Sequence, residues 1–466
     1  MIDGFTIVVD VGKTNAKVSL WDASGGQIAR NSRANQAGQG PEYRALDVAG
    51  IEAFVLESLS EFAGTEDVRR IITVGHGAGA ALLRDDQLFA LPMDYEESAT
   101  DSEREAYRTQ RDPFTETGSP FLPLGLNLGM QLHRLETILG PLPEDVTIVP
   151  WAQYWAWRLC GVTASEISSL GCHTDLWRPM ENNYSRLANK RGWSARMAPL
   201  RSAGTALGPI TPDVAAATGL PGNCKVHCGL HDSNAALLAA RGHHEIAEDD
   251  ATILSTGTWF IAMRSLAAGA KFETELLQES RDCLINVDVY GNAVPSARFM
   301  GGRESELVGG IDSYALTDNY DPDAIIDRLP EQIATGSRVL PTFVKGVGPF
   351  PDENGTWVNK PDDADGRRAV TGLYLALMVD ATLELIGSRD RLLIEGRFAE
   401  AEVFVRALAT IRPQQRIYVS NAHNDVAYGA LRLICPEIES PSELTPVIPL
   451  DIDLSQYAEQ WRSRKQ

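Results

Sequence analysis

The sequence predicts an α/β protein of two related domains, and three features carry that prediction. Strand-like and helix-like segments alternate along 466 residues, the pattern of sheets covered by helices. Residues Phe5 to Trp21 read as strand, tight turn, strand. Half a chain later, "ATILSTGTWFIAM" repeats that layout from Ala251, again with Gly and Thr at the turn. Two such units make two domains of related fold the expected arrangement. The boundary is placed near Gly242, where "ARGHHEIAEDD" turns polar, giving domains 1–242 and 243–466.

Each element follows from its residues. Phe5-Thr6-Ile7-Val8-Val9 is an apolar, β-branched run and reads as a buried strand. The following Gly12-Lys13-Thr14 looks like the tail of a P-loop. That loop needs a glycine five positions before its Gly-Lys pair, and Ile7 stands there, inside the strand. The P-loop is rejected. Lys17 to Trp21 alternates as a second strand, Ser24-Gly25-Gly26 turns, and Gln27 to Arg30 runs outward, completing an antiparallel meander. Ile51 to Phe62 has helical periodicity and Arg70 to Val74 is a strand. Gly75 to Ala80 fits a loosened dinucleotide fingerprint, but the stretch before Leu91-Pro92 is too short for the helix that fingerprint requires. A glycine-rich strand end lining a small-ligand pocket is expected instead. Trp151 to Leu159 predicts an amphipathic helix ending before Gly161. Thr205 to Gly222 reads as a polar connector holding a short helix, Pro212 to Thr218; the strand Cys224 to Cys228 follows, and His231-Asp232-Ser233 opens a helix to Ala240.

Composition narrows the function. A formal charge of −21 opposes nucleic-acid binding, which needs a basic footprint, and is read first as solubility. No apolar run reaches the roughly 18 residues of a membrane span. The opening "MIDGFTIVVD" lacks a basic flank and a cleavage-like site, so no signal peptide is expected. Six scattered cysteines then read as reduced thiols in a cytoplasmic protein.

Two carboxylates are the chemical candidates. Asp10 leaves a buried strand at a glycine turn. It either caps that turn or holds a hydrated Mg²⁺ while Gly12, Thr14, Asn15 and Lys17 offer donors to phosphate. In "KVHCGLHDSNAALLAA", Asp232 or Ser233 is either a plain helix N-cap, or Asp232 is a general base kept ionised by the helix N-terminus. Cys224, His227, Cys228 and His231 offer zinc-type ligands, but strand alternation puts Cys224 and Cys228 on one face and His227 on the other, against convergence on one ion.

Taken together, the motifs resemble a known family. Asp10-x-Gly12-x-Thr14-x-x-Lys17, then Gly229-Leu230-His231-Asp232, then Ser255-Thr256-Gly257-Thr258-Trp259 stand in the order and spacing of the FGGY carbohydrate kinases, most like the L-rhamnulose and L-fuculose kinases. "FLPLGLNLGMQL", "WAQYWAWRLCGVTASEISS" and "ARFMGGRESELV" extend the resemblance over most of the chain. It implies a duplicated actin-like, ribonuclease-H-like fold with sugar and ATP in a central cleft: an N-terminal sugar domain and a C-terminal nucleotide domain. It further implies an ATP-dependent ketose kinase with Asp232 as base and ATP and Mg²⁺ as cofactors. Asp10, Gly12, Lys13, Thr14, Asn15 and Lys17 would form the first phosphate element, with Asp10 on Mg²⁺ through water. Gly257, Thr258, Glu306 and Gly396 would serve the nucleotide, and His76, Gly77, His231 and Arg298 the sugar. Small-molecule sugar and ATP are the expected partners, with a homodimer left open.

The sequence also departs from the family pattern. "RLLIEGRFAE" keeps only Gly396 of a glycine-rich adenine element, with Glu395, Arg397 and Glu400 around it. His76 replaces an aromatic residue, Glu96 an arginine, and Arg298 a sugar-binding asparagine, so that an acidic sugar would find a partner in Arg298. Two other readings stand beside the kinase: a sugar-binding regulatory protein without phosphate transfer, suggested by the altered adenine element, and a sugar-independent ATPase of the actin and chaperone kind. L-Ribulose and D-xylulose stand as alternative substrates.

Overall fold

The computed structural model describes residues 4–463, apart from 41, 65–66, 248, 268, 271, 273, 275–276, 310–320, 421–425 and 439–442. The chain packs as two compact units. One comprises 1–242 with 285–293 and 425–440; the other comprises 243–284, 294–424 and 441–466. The simple division at residue 242 is therefore corrected by two segments that return to the first unit.

The first sheet begins with the meander β1 (Phe5–Val11), β2 (Asn15–Trp21) and β3 (Gln27–Ala34). Helix α1 (Val48–Ala63) then leads to β4 (Val68–Gly75), which lies parallel to β1. Helix α2 (Trp151–Cys160) precedes the edge strand β5 (Ala206–Pro209) and β6 (Lys225–His231), which runs straight into α3 (Asp232–Ala240). The order is β5-β6-β4-β1-β2-β3. On β1, Ile7, Val9 and Val11 pack with α1 and α2, whereas Val8 packs with α3 and the helix Val426–Ile434. Both faces are covered, which explains why β1 is a continuous apolar run rather than an alternating one.

In the second unit, β7 (Ala251–Thr256), β8 (Phe260–Ser265), β9 (Ala293–Phe299), β10 (Arg391–Gly396), β11 (Arg416–Val419) and β12 (Thr445–Pro446) stand in the order β12-β11-β10-β7-β8-β9. These six strands repeat the pairing pattern of the first sheet, with an antiparallel meander, two parallel strands and an antiparallel edge, and a seventh strand, Cys283–Val287, stands next to β9. The turns match as well, Gly12-Lys13-Thr14 between β1 and β2 and Gly257-Thr258-Trp259 between β7 and β8. The 22-residue helix α4 (Ala364–Leu385) covers this unit and is capped by Asp363, whose carboxylate accepts the Gly366 N–H at 2.8 Å.

Two local expectations change. The Trp-rich helix α2 is buried almost all round, with only Arg158 partly exposed, instead of showing one wet face. The polar connector from Thr205 contains an edge strand before its helix, Pro212–Thr218, which is capped by Thr211. No helix among the described residues is long and apolar enough to cross a membrane.

Candidate active site

Three parallel strands of the first unit end in one row: Val11 of β1 pairs with Gly75 of β4, and Gly75 pairs with His231 of β6. The β1–β2 turn, the His76-Gly77 loop and the start of α3 therefore leave the same sheet edge, with neighbouring strands about 4.8 Å apart. The carboxyl edge of parallel strands is the usual place for ligands in α/β sheets.

In the turn, Thr14 and Asn15 are exposed. Asp10 is nearly buried, with the Lys17 ammonium 3.9 Å from its carboxylate. Lys13 turns to protein instead of solvent. Its Nζ lies 2.7 Å from Asp94 and 3.4 Å from Glu96, and Arg44 meets the same two carboxylates, each at 2.8 Å. Burial alone would raise Asp94, but hydrogen bonds from Lys13, the Glu96 N–H and Arg44 outweigh it and hold its carboxyl below the ordinary range. Two cations thus meet two anions beside a cavity of about 190 Å³ lined by Lys13, Thr14, Arg44, His76, Glu96 and Trp151.

His76 stands edge-on to Tyr95 (5.3 Å between ring centres) and beside Trp151 (5.8 Å). Its Nδ1 donates to the Gly77 carbonyl at 2.8 Å, which leaves Nε2 as an acceptor; that atom is buried without a protein partner. Gly77 packs against His231 so closely that a Cβ there would lie 2.8 Å from the His231 Nε2.

His231 is the N-cap of α3 and Asp232 its first residue, so Asp232 is not the cap. The Asn234 amide donates to His231 Nδ1 (3.3 Å), and His231 Nε2 then donates to Asp232 Oδ1 (3.1 Å). The same Oδ1 accepts the Ser233 N–H at 2.6 Å and its hydroxyl at 3.2 Å. Asp232 Oδ2 has no protein partner among the described residues, and the side chain is 31% exposed. Behind it, the His231 N–H donates to Ser168 Oγ (3.2 Å), which in turn donates to the buried Glu166 carboxylate (2.6 Å). Burial pushes Glu166 up to about 7 against those hydrogen bonds.

Burial also lowers both His76 and His231, with the Asp232 charge working the other way. Below their ordinary value of 6.5, the folded state binds fewer protons than the unfolded chain, so stability is full above that pH and declines as pH falls through it. The thermal midpoint is expected to drop from pH 6.5 toward about pH 5, with a shallower drop in His76→Gln. Identical pH slopes in the two proteins would contradict the neutral, buried imidazole.

The second unit holds the remaining candidates. Thr258 is exposed in its turn, and the Gly257 N–H closes that turn on the Trp259 carbonyl at 3.0 Å, as the Gly12 N–H does on Asn15. Gly396 ends β10 opposite Thr256 of β7, so it lies beside the Gly257-Thr258 turn. Glu395 is buried and accepts from the Ser255 hydroxyl at 2.9 Å, and its side chain is not presented at the loop. Arg298 lies over the Trp259 ring at 4.8 Å and is paired with Asp282 at 3.2 Å. Glu306 lies on the helix Gly301–Gly309, bonded to Arg303 at 2.8 Å. Asp10 to Lys17, His76, Gly77, His231 and Asp232 thus gather in the first unit, whereas Gly257, Thr258, Arg298, Glu306 and Gly396 belong to the second. Of the zinc-type residues, His227 bonds the Gly204 carbonyl at 2.8 Å, and Cys224 and Cys228 are buried free thiols.

Sequence reasoning missed Tyr95, Asp94, Arg44, Ser168 and Glu166. "MDYEESAT" and "SEISS" contain four of them, but nothing periodic in those segments marks a contact.

Known proteins share this fold. The family model for "Carbohydrate kinase FGGY, C-terminal domain" matches residues 248–442. A carbohydrate kinase from Novosphingobium aromaticivorans superposes with a TM-score of 0.95 at 49% identity, over 99% of this chain and 100% of that one. A xylulose kinase from Rhodospirillum rubrum (TM-score 0.77, 18% identity, 98% and 97% covered) and Plasmodium falciparum glycerol kinase with ADP (TM-score 0.77, 11% identity, 99% and 97% covered) share the fold. No curated protein matches the chain.

Proposed function

The chain belongs to the FGGY carbohydrate kinases and is an ATP-dependent sugar phosphotransferase, and we propose that its acceptor is a neutral ketose of five or six carbons, such as L-fuculose or L-rhamnulose, with Asp232 as the base. In this reading the first unit binds sugar and the second binds nucleotide. The observation that carries it is the row Val11–Gly75–His231, which gathers the Asp10–Lys17 turn, His76 and Asp232 on one sheet edge.

The reaction follows from the open atoms. With Oδ1 of Asp232 saturated, Oδ2 takes the proton as a sugar hydroxyl oxygen attacks the γ-phosphorus and ADP leaves. The buried Nε2 of His76 accepts a second sugar hydroxyl, and Tyr95 supplies a flat wall beside it. Thr14, Asn15 and Lys17 in the first unit donate to phosphate oxygens. Such positioning and charge neutralisation are most of what phosphoryl transfer requires. The hard oxygen donors Asp10 and Thr14 suit Mg²⁺, which when bound would neutralise charge on the phosphates.

A neutral sugar is favoured over an acidic one. Lys13 and Arg44 are matched by Asp94 and Glu96, and Arg298 by Asp282, so none of these cations is left for a substrate carboxylate. L-Fuculose, L-rhamnulose, L-ribulose, D-xylulose and D-gluconate, each with MgATP, form the deciding panel. At least one ketose is expected to be phosphorylated with kcat/KM far above gluconate; preference for gluconate would refute the neutral-sugar reading. Titration calorimetry with ATP tests the altered adenine element, and binding is expected because Glu395 is engaged with Ser255.

A further inference from the structure

We infer that Glu166 and Ser168 are positioning residues, a buried pair that fixes the backbone from which Asp232 projects. Their role presupposes Asp232 as the base. Both side chains are fully buried, so neither touches a sugar or a phosphate. The Ser168 hydroxyl lies between two partners. It donates to Glu166 Oε2 at 2.6 Å and accepts the His231 N–H at 3.2 Å, across 63 positions of sequence. His231 is the last residue of β6 and the N-cap of α3, and Asp232 follows it. Three and two residues earlier, the carbonyls of Cys228 (3.3 Å) and Gly229 (3.0 Å) accept from the buried Gln153 of α2. The end of β6 is thus held through its carbonyls by Gln153 and through its last N–H by Ser168.

Capping alone does not explain Glu166. It is the N-cap of the short helix Ile167–Leu170 and accepts the Ser168 and Ser169 N–H groups at 2.9 and 3.0 Å. Serine, threonine, aspartate or asparagine suits that purpose better, and burying a carboxylate is costly. No cation pairs with it among the described residues; two N–H and two O–H groups of Ser168 and Ser169 hold it instead. What the carboxylate adds is direction. An ionised carboxylate only accepts, so the Ser168 proton points at Glu166 and an Oγ lone pair faces the His231 N–H. Removing the hydroxyl takes that acceptor away from a buried donor, and the peptide is then free to turn. Because His231 Nε2 also bonds Asp232 Oδ1, a turn of this peptide carries both side chains with it.

The test is steady-state kinetics with MgATP and the preferred ketose, with Ser168→Ala measured alone and in the Asp232→Asn background. A buffer near about pH 8 keeps Glu166 ionised, since burial pushes it up to about 7. Alone, Ser168→Ala should lower kcat by roughly tenfold to a hundredfold, the cost of displacing a catalytic group by up to about 1 Å. KM for the sugar should change far less. In the Asp232→Asn background no base is left to aim, so the same substitution should cost almost nothing further. Glu166→Gln keeps the volume but presents an amide N–H where Ser168 donates. It should repeat both results, so that poor folding of Ser168→Ala does not decide the outcome. Parent kcat in folded Ser168→Ala, a loss confined to KM, or the same fold-loss with and without Asp232 would each overturn this role. Near-parent turnover in Asp232→Asn by itself would instead overturn the base, and the positioning role with it.

Discussion

Asp232→Asn is expected to give a folded, sugar-binding protein whose turnover is lower by roughly 10²–10⁴-fold, the usual cost of removing a general base. The substitution keeps an oxygen for the Ser233 N–H and for His231 Nε2, so the start of α3 should hold. What it removes is acceptance at Oδ2, the one carboxylate oxygen with no protein partner among the described residues. An amide nitrogen there cannot take a proton from a sugar hydroxyl. The loss should therefore fall on kcat, with KM for the sugar changed far less, because the missing interaction forms only as the proton leaves. Stability should change by no more than the roughly 0.3–1 kcal/mol of a charge at a helix N-terminus. Steady-state kinetics and a melting curve on one preparation settle it: a well-folded variant turning over near the parent rate would remove Asp232 from the chemistry.

The fold was legible where local chemistry dictated it. The β-branched run at Phe5, the alternation from Lys17 and the Thr211-Pro212 helix start each carry their own structural signal, and each forms the expected element. The duplication was visible only at its two hairpins; the matching of the other strands depends on pairings that link Ala251 to Arg391 and Lys225 to Arg70. Likewise, the helix Val426–Ile434 packs on α3 because Gly429 lets the two backbones approach, with a Cβ there falling 1.7 Å from the Ala235 carbonyl oxygen. No local pattern announces a partner almost two hundred residues away. The site divides in the same manner. Asp10 and Asp232 lie in ordered motifs, whereas the Lys13–Asp94 pair joins loops 81 positions apart. Charged loop residues have no period, and only the packed chain reveals which of them neutralise each other.

Strand β6 shows what such reading overlooks, and it supports the second large effect. The sequence places the strand end at Cys228 and treats Gly229 as loop, but the strand continues to His231 through a bulge. Between His227 and Leu230 it advances three residues while β4 advances two, from Ile72 to Val74. That extra residue changes which face the following side chains take, since a shift of one residue inverts the alternation of a strand. His231 and Asp232 owe their direction to it. Gly229 makes the bulge possible: its φ is +81°, and a Cβ would lie 2.1 Å from the Thr73 carbonyl oxygen. The peptide is also fixed by its neighbours, the Gly229 N–H donating to Ala203 (2.9 Å) and the Gly229 carbonyl accepting from Gln153 (3.0 Å). It cannot easily move away from an added methyl group. Gly229→Ala should cost roughly 2–6 kcal/mol, combining about 1–3 for a left-handed φ with about 1–3 for the displaced backbone. In urea, the midpoint should fall with an unchanged slope. Whatever folds should turn over more slowly by roughly 10²-fold, because a displacement near 1 Å at Asp232 spoils its approach to the substrate hydroxyl. Parent-like stability and turnover in Gly229→Ala would mean that the bulge does not aim the base. Reduced stability with full turnover would confine the glycine to folding alone.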